Sequence, residues 1–294
     1  MQISLFLYHI LTENLSEDKI EWLERRLDLM DEGNEKDLFV SYSSVPRFIG
    51  KDTLKISPEQ KKLGEQLRPG WELQNITADM VARWLLIINF PANSEKDYIS
   101  AVKKLFSAGD MREQISLYKA LPLLPFQELF SSQASEGIRS NMQSVFEAVA
   151  LDNPYPSEYF DDNAWNQMVL KALFIGTPLY QIKGLDKRAN YALAKMAVNF
   201  AHERWAAGRT VNPELWRLVG PFIDLHFLQD IRTLLSSSNP KDKISASLAC
   251  AQSTLPEARQ LLESDFKLSD ALDRDKLNWD LFSSQLYKSE LQEI

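Results

Sequence analysis

Three segments decide how this chain is read: EGIRSNMQSVFEAVALDNPYP (Glu136–Pro156), DDNAWNQMVLKALFIGTPL (Asp161–Leu179) and GLDKRANYALAKMAVNFAHERWAAGR (Gly184–Arg209). All three are amphipathic, with apolar residues at the three- and four-residue steps of a helix that turns one face to a core. They also carry polar residues that a plain helical core does not need. Asn163, Asn166, Gln167 and Lys171 follow one another at helical spacing and share a stripe, while Trp165, Met168, Val169 and Ala172 point elsewhere. Asn199, His202 and Glu203 likewise share one side of their helix, beside Arg204 and Trp205. A buried polar group left unpaired costs about 1–3 kcal/mol, so such groups are bonded to something. Two readings fit: a pocket that recognises a polar small molecule, or a structural network and solvated face. The candidate ligand-binding residues are Arg139, Asn141, Asn163, Trp165, Asn166, Gln167, Lys171, His202, Glu203 and Arg204. For Trp165, Trp205 and Trp216, core packing is the plainer expectation.

Outward from this centre, one helical pattern follows another. Ser16 precedes SEDKIEWLERRLDLM, where Ile20, Leu23, Leu27 and Met30 recur on one face. KDLFVSYSSVPRF is expected to stop at Val45, because the residue before a proline avoids helical backbone. Thr77 opens TADMVARWLLIINF, apolar all round and therefore buried on most sides, and Pro91 ends it. Ser94 and Asp110 cap the next two helices, and Asn212-Pro213 and Asn239-Pro240 each set a cap before a first-turn proline. From Phe227 to Leu262 the pattern is that of a helical-repeat pair, with Leu248, Ala249 and Ala251 permitting close approach. The tail from Leu268 to Ile294 places Leu277, Leu281 and Leu286 on one face of closing helices.

No alternating Val/Ile/Thr-rich run and no Asn-Gly or Asp-Gly hairpin turn occurs. The expected class is all-α and multi-helical, as a HEAT/armadillo-like or irregular α-α superhelical array. We expect one elongated domain over 1–294, with an N-terminal subdomain over 1–131, a central region 134–224 and a C-terminal helical-repeat region 225–294.

A chain of 294 residues, 45% hydrophobic and 25% charged, has an ordinary globular composition. Its formal net charge of -8 and lack of a basic block argue against a nucleic-acid partner. The lone Cys250, in SASLACAQ, cannot form an internal disulfide and reads as a small core residue, which suits the cytoplasm. The N-terminal ISLFLYHIL is too short to span a membrane and reads as a packed amphipathic helix.

The familiar catalytic signatures fail in turn. AHERWAA begins like a zinc-protease helix, but the position one turn beyond His202, where a second imidazole must stand, is Ala206. No GxGxxG, GxxxxGK[ST] or GxSxG occurs. Glu136, Glu147, Asp161, Asp162, Asp186 and Glu203 would serve as general acid and base only if two of them converged, and Asp161 and Asp162 read first as a helix cap. No catalytic residue, metal or cofactor is therefore assigned.

Over Glu136–Phe222 the three segments, with TVNPELWRLVGPF, closely resemble the EboA family, and VPRFIGK, Trp71–Phe90 and EQISLYKALPLLP extend the likeness more loosely. The resemblance implies a bacterial gene cluster that also encodes a UbiA-like membrane prenyltransferase, a TatD-like hydrolase, a sugar-isomerase-like barrel and a dehydroquinate-synthase-like protein. In cyanobacteria that cluster is associated with export of the scytonemin precursor. It implies partners among those proteins, the prenyltransferase or the barrel in particular, and carries no reaction onto particular residues. Two functions remain: a non-catalytic adaptor or small-molecule carrier, or an enzyme acting on a polar metabolite through an Asn/Lys/His/Glu pocket.

Overall fold

The helix Ala78–Ile88 carries apolar residues on every side, and in the computed structural model all its residues but Met80 and Ile88 are buried. The structure describes residues 2–30, 33–263 and 277–290. Its described residues form seventeen α-helices and no strand, with one isolated bridge between Thr53 and Thr77. The chain divides into two compact units, Met1–Phe160 and Asp161–Ile294.

In the first unit the helices are α1 (Gln2–Asn14), α2 (Glu17–Leu29), α3 (Glu35–Phe48), α4 (Pro58–Leu67), α5 (Ala78–Ile88), α6 (Glu95–Ala108), α7 (Met111–Ala120), α8 (Ser131–Arg139), α9 (Gln143–Ala150) and α10 (Tyr155–Tyr159). α5 is the axis, with α1, α2, α3 and α7 packed around it. Trp84 on α5 donates its indole N–H to the Ser116 carbonyl at 2.8 Å, which satisfies the polar edge of a buried ring. Ser94 and Asp110 cap α6 and α7 as expected, Asp110 in a reciprocal box with Glu113. At Ser16 and Thr77 the backbone has cap geometry, but neither hydroxyl makes a cap bond.

Helix α3 does not stop at Val45; it runs through Pro46 to Phe48. Pro46 has no N–H for the carbonyl four residues back, that of Tyr42. Arg83 of α5 donates its Nε to that carbonyl at 3.3 Å, so a tertiary donor replaces the missing helical one.

The Glu136–Pro156 segment is likewise not one helix. It breaks at Ser140–Met142 between α8 and α9, where Asn141 stands exposed. Gly137 makes the α8 crossing possible: a Cβ there would lie 2.7 Å from Tyr118 Cε1 and 2.7 Å from Val149 Cγ2. Overpacking costs about 1–3 kcal/mol and outweighs the gain of up to about 1 kcal/mol in helix propensity. Gly137→Ala is therefore expected to lower the denaturation midpoint, and a midpoint that rises would contradict this packing.

The second unit holds α11 (Asp162–Ile175), α12 (Tyr191–Ala206), α13 (Leu215–Val219), α14 (Phe227–Leu235), α15 (Pro240–Gln252), α16 (Pro256–Glu263) and α17 (Trp279–Glu290). α14 and α15 pack as the expected pair, and α15 also meets α13 and α16. Ala249 faces Gly220, but Ala251 is exposed and takes no part in close approach. Asn239 caps α15 with Pro240 in its first turn, whereas α13 begins only at Leu215, so Asn212-Pro213 heads a preceding turn. The expected closing segment begins at Leu268, outside the described residues. On α17 the buried face is Trp279, Phe282, Ser283 and Leu286, and Leu281 is 45% exposed rather than on that face. Cys250 is buried in α15, and burial pushes its thiol up to about 11.

Candidate functional site

The second unit gathers most of the candidate residues on α11 and α12. Asp161 starts α11 by accepting the Ala164 N–H at 2.7 Å, the cap role foreseen for it. Gly176, at φ 76, ends the helix in the left-handed conformation and turns the chain toward a 3-10 turn, Leu179–Gln181. Asn190 starts α12 by accepting the Leu193 N–H at 2.9 Å.

The polar stripe of α11 splits. Asn166 is buried, and its amide exchanges hydrogen bonds with that of Asn190, at 2.9 Å from Asn190 Nδ2 and 3.3 Å from Asn166 Nδ2. Asn166 thus fixes the start of α12. Asn163 and Gln167 lie on the exposed side, and Lys171 is half-buried, where loss of hydration pulls its ammonium below the usual lysine range. Asn190→Ala removes both the cap and the amide pair. A loss of about 1–2 kcal/mol is expected, because capping alone is worth about 1 kcal/mol and Asn166 is left buried without that partner. Equilibrium unfolding would measure it, and a loss matching that of a surface substitution would contradict the structural role.

The α12 groups divide in the same way. Asn199, His202 and Glu203 share the exposed side, as their spacing requires. His202 Nε2 lies 2.8 Å from Asp230 Oδ1 on α14, and its ring packs against Trp205, which in turn stacks on buried Trp216. Arg204 turns the other way, donating Nε to the Thr210 carbonyl at 2.6 Å with its guanidinium 5.8 Å from the Phe200 ring centroid. Trp165 is fully buried, with the Arg188 guanidinium 5.0 Å from its ring centroid. Arg139 and Asn141 are exposed and belong to the first unit.

Between these helices lies a cleft of about 460 Å³, whose lining includes Phe174, Phe200, Arg204, Asn212, Lys241 and Tyr287. A shallower groove of about 240 Å³, lined by Gln167, Leu170, Lys171, Phe174 and Phe200, shares the two phenylalanines with it. Of the candidates, then, the structure brings Gln167, Lys171 and Arg204 to one aromatic strip. His202 and Glu203 line neither space, and Asn166 is paired away from both.

One wall of the cleft rests on a buried carboxylate. Glu214 accepts the N–H groups of Leu179 and Tyr180 at 2.9 and 3.0 Å and the Tyr287 hydroxyl at 2.8 Å. Asn212 donates to that hydroxyl at 2.9 Å and accepts the Glu214 N–H at 2.9 Å. Arg217 secures the same wall by pairing with Asp186 of the 184–190 loop and with Asp280 of α17. Those two carboxylates hold the guanidinium charged, above its ordinary range, against the pull of burial. Glu214, Tyr287, Phe174 and Phe200 were not among the sequence candidates. For Glu214 the sequence offers only its place after Asn-Pro, whereas Phe174, three residues beyond Lys171, was legible as an aromatic on the polar stripe.

Helices packed on helices and a cleft of the size of small-molecule sites define an all-α protein with room for a compact metabolite. A family model described as metabolite traffic protein EboA matches residues 3–220, and the chain belongs to that family. The match covers nearly all of the first unit and the second as far as Gly220, so it includes Phe174, Phe200, Arg204 and Glu214 but neither Lys241 nor Tyr287. No curated protein and no solved structure matches the chain. The family's description, metabolite traffic, fits a non-catalytic role. Among the described residues, no helix is long and apolar enough to cross a membrane.

Proposed function

We propose that this protein is a non-catalytic small-molecule carrier that holds a metabolite in the cleft between α11 and α12. The observation that supports this most directly is the aromatic strip of Phe174 and Phe200 beside polar groups, in a space of about 460 Å³. Ligand sites of this kind combine apolar and aromatic walls with a few converging polar groups, typically within about 300–1,000 Å³. Phe174 is 72% exposed, so most of a large apolar side chain is left to water. In this reading the carrier serves the other ebo-cluster proteins in making or exporting a secondary-metabolite precursor, receiving or delivering it at the UbiA-like membrane prenyltransferase or the sugar-isomerase-like barrel.

The test is mass spectrometry of small molecules released on denaturing protein purified from its native host. A co-purifying compound is expected with the wild type and with His202→Ala, which lies outside the cleft, and is expected to be lost with Phe174→Ser. Equal recovery from all three proteins, or from none, would count against the carrier reading.

A further inference from the structure

The charge of the cleft has a definite sign although the chain as a whole is acidic, with a formal net charge of -8. Arg204 and Lys241 both line it, Lys171 lines the adjoining groove, and no carboxylate among the described residues lines either. Two acidic residues that adjoin lining residues in the chain, Glu214 after Pro213 and Asp242 after Lys241, are already engaged. Glu214 stands behind Tyr287 and accepts two backbone N–H groups and that hydroxyl. Asp242, next to Lys241, bonds Ser237 and Asn239 at the start of α15. Helix ends of both signs border the cleft: the C-terminal ends of α11 at Ile175–Gly176 and of α12 at Arg204, and the N-terminal end of α15 at Asn239–Lys241. Each end carries only about half an elementary charge, of opposite sign at the two kinds of terminus, so the full charges of Arg204 and Lys241 set the sign.

The apolar portion of the lining is equally specific in kind. Phe174 and Phe200 present ring surface, and the guanidinium of Arg204 lies over the Phe200 ring, so cation and aromatic face are offered side by side. Tyr287 and Asn212 are held by the Glu214 network, which makes that wall rigid. We propose that the cleft binds a small organic anion, a carboxylate or phosphate ester on a flat apolar body, with the body against Phe174 and Phe200 and the charge toward Arg204 and Lys241. The inference rests on the carrier reading and adds the chemical class of the cargo. Lys241 stands on α15, beyond the residues that the family model matches.

Two dyes of nearly the same shape test it: anilinonaphthalenesulfonate, an anion, and N-phenylnaphthylamine, its uncharged counterpart. The wild type is expected to bind the anion more tightly by about tenfold, the difference that one well-placed charge contact of about 1.4 kcal/mol supplies. Lys241→Glu, at an exposed position, is expected to abolish that preference while leaving the neutral dye within about twofold, since it removes charge and not apolar surface. Phe174→Ser is expected to weaken both dyes. Displacement of the bound anion by naphthoate or by naphthyl phosphate distinguishes a carboxylate from a phosphate head, and displacement by neither would overturn the proposal. If both dyes bind alike and Lys241→Glu changes nothing while Phe174→Ser weakens both, the anion class is overturned and the cleft still stands. If Phe174→Ser changes neither dye, or neither dye binds, both the cargo class and the cleft as a binding site fall. Circular dichroism of each variant establishes that it is folded.

Discussion

Arg83→Ala is expected to destabilise the first unit by about 3–5 kcal/mol, the range for removing one partner of a buried ion pair. Arg83 is 2% exposed at the centre of α5. It donates to Asp79 at 2.9 Å and lies 3.6 Å from Glu113, with its guanidinium 5.1 Å from the Tyr42 ring centroid. It also supplies the donor for the Tyr42 carbonyl that Pro46 leaves without a helical partner. Alanine would leave Asp79, 4% exposed, without its cation and would empty the space of a large side chain. A double replacement, Arg83→Met with Asp79→Leu, is expected to recover much of the loss, because a buried pair is often worth little more than well-packed apolar residues. Recovery should stay incomplete by about 1–3 kcal/mol, since the Tyr42 carbonyl still lacks a donor. Denaturant unfolding followed by circular dichroism measures both. A single-variant loss of under about 1 kcal/mol, the scale of an exposed ion pair, would contradict this account.

Glu214→Ala is expected to be comparably severe in the second unit and to act on binding as well. The carboxylate is fully buried and satisfies the Leu179 and Tyr180 amides and the Tyr287 hydroxyl. A buried donor left unpaired costs about 1–3 kcal/mol, and because Leu179 is buried while Tyr180 and Tyr287 are half-buried and can reach water, the total is expected near the low end, about 3–5 kcal/mol. Tyr287 and α17 then lose their anchor, and dye binding in the cleft should weaken below the unfolding temperature, while the protein is still folded. Tyr287→Phe loses the hydroxyl's two hydrogen bonds, to Glu214 and from Asn212, but keeps the carboxylate's two backbone partners, and is expected to cost about 1–2 kcal/mol with less effect on binding. A Glu214→Ala protein that melts with the wild type and binds with equal affinity would remove Glu214 from the cleft wall.

The helical architecture was legible because its causes are local. Caps such as Asp110 with Glu113 and Asn239 with Pro240 act within a few residues, and apolar spacing marks each buried face wherever the partner comes from. Readings failed where a distant side chain overrode a local rule. Pro46 sits inside α3 because Arg83, far along the chain, donates in place of its missing N–H. Ala251 is small but turned away from any neighbour, and Leu281 shares a helical pattern without sharing the buried face.

The candidate site shows the same limit residue by residue. Helical spacing correctly put Asn199, His202 and Glu203 on one side of α12, yet spacing alone did not show that His202 meets Asp230 or that this side misses the cleft. It grouped Asn166 with Gln167 and Lys171, although Asn166 is bonded to Asn190 across the helix pair while the other two line an aromatic groove. Glu214 had no periodicity to betray it, because its importance comes from two amides more than thirty residues earlier and a tyrosine more than seventy residues later.

By itself, then, the sequence determined the all-α class, many of the helix starts and the kinship with the EboA family, since each is written in short-range spacing or in long matching segments. Only the tertiary structure decided which polar groups are spent on holding helices together and which are left facing a cleft. That division depends on what packs opposite each helical face, and a face opposite is set by residues remote in the chain.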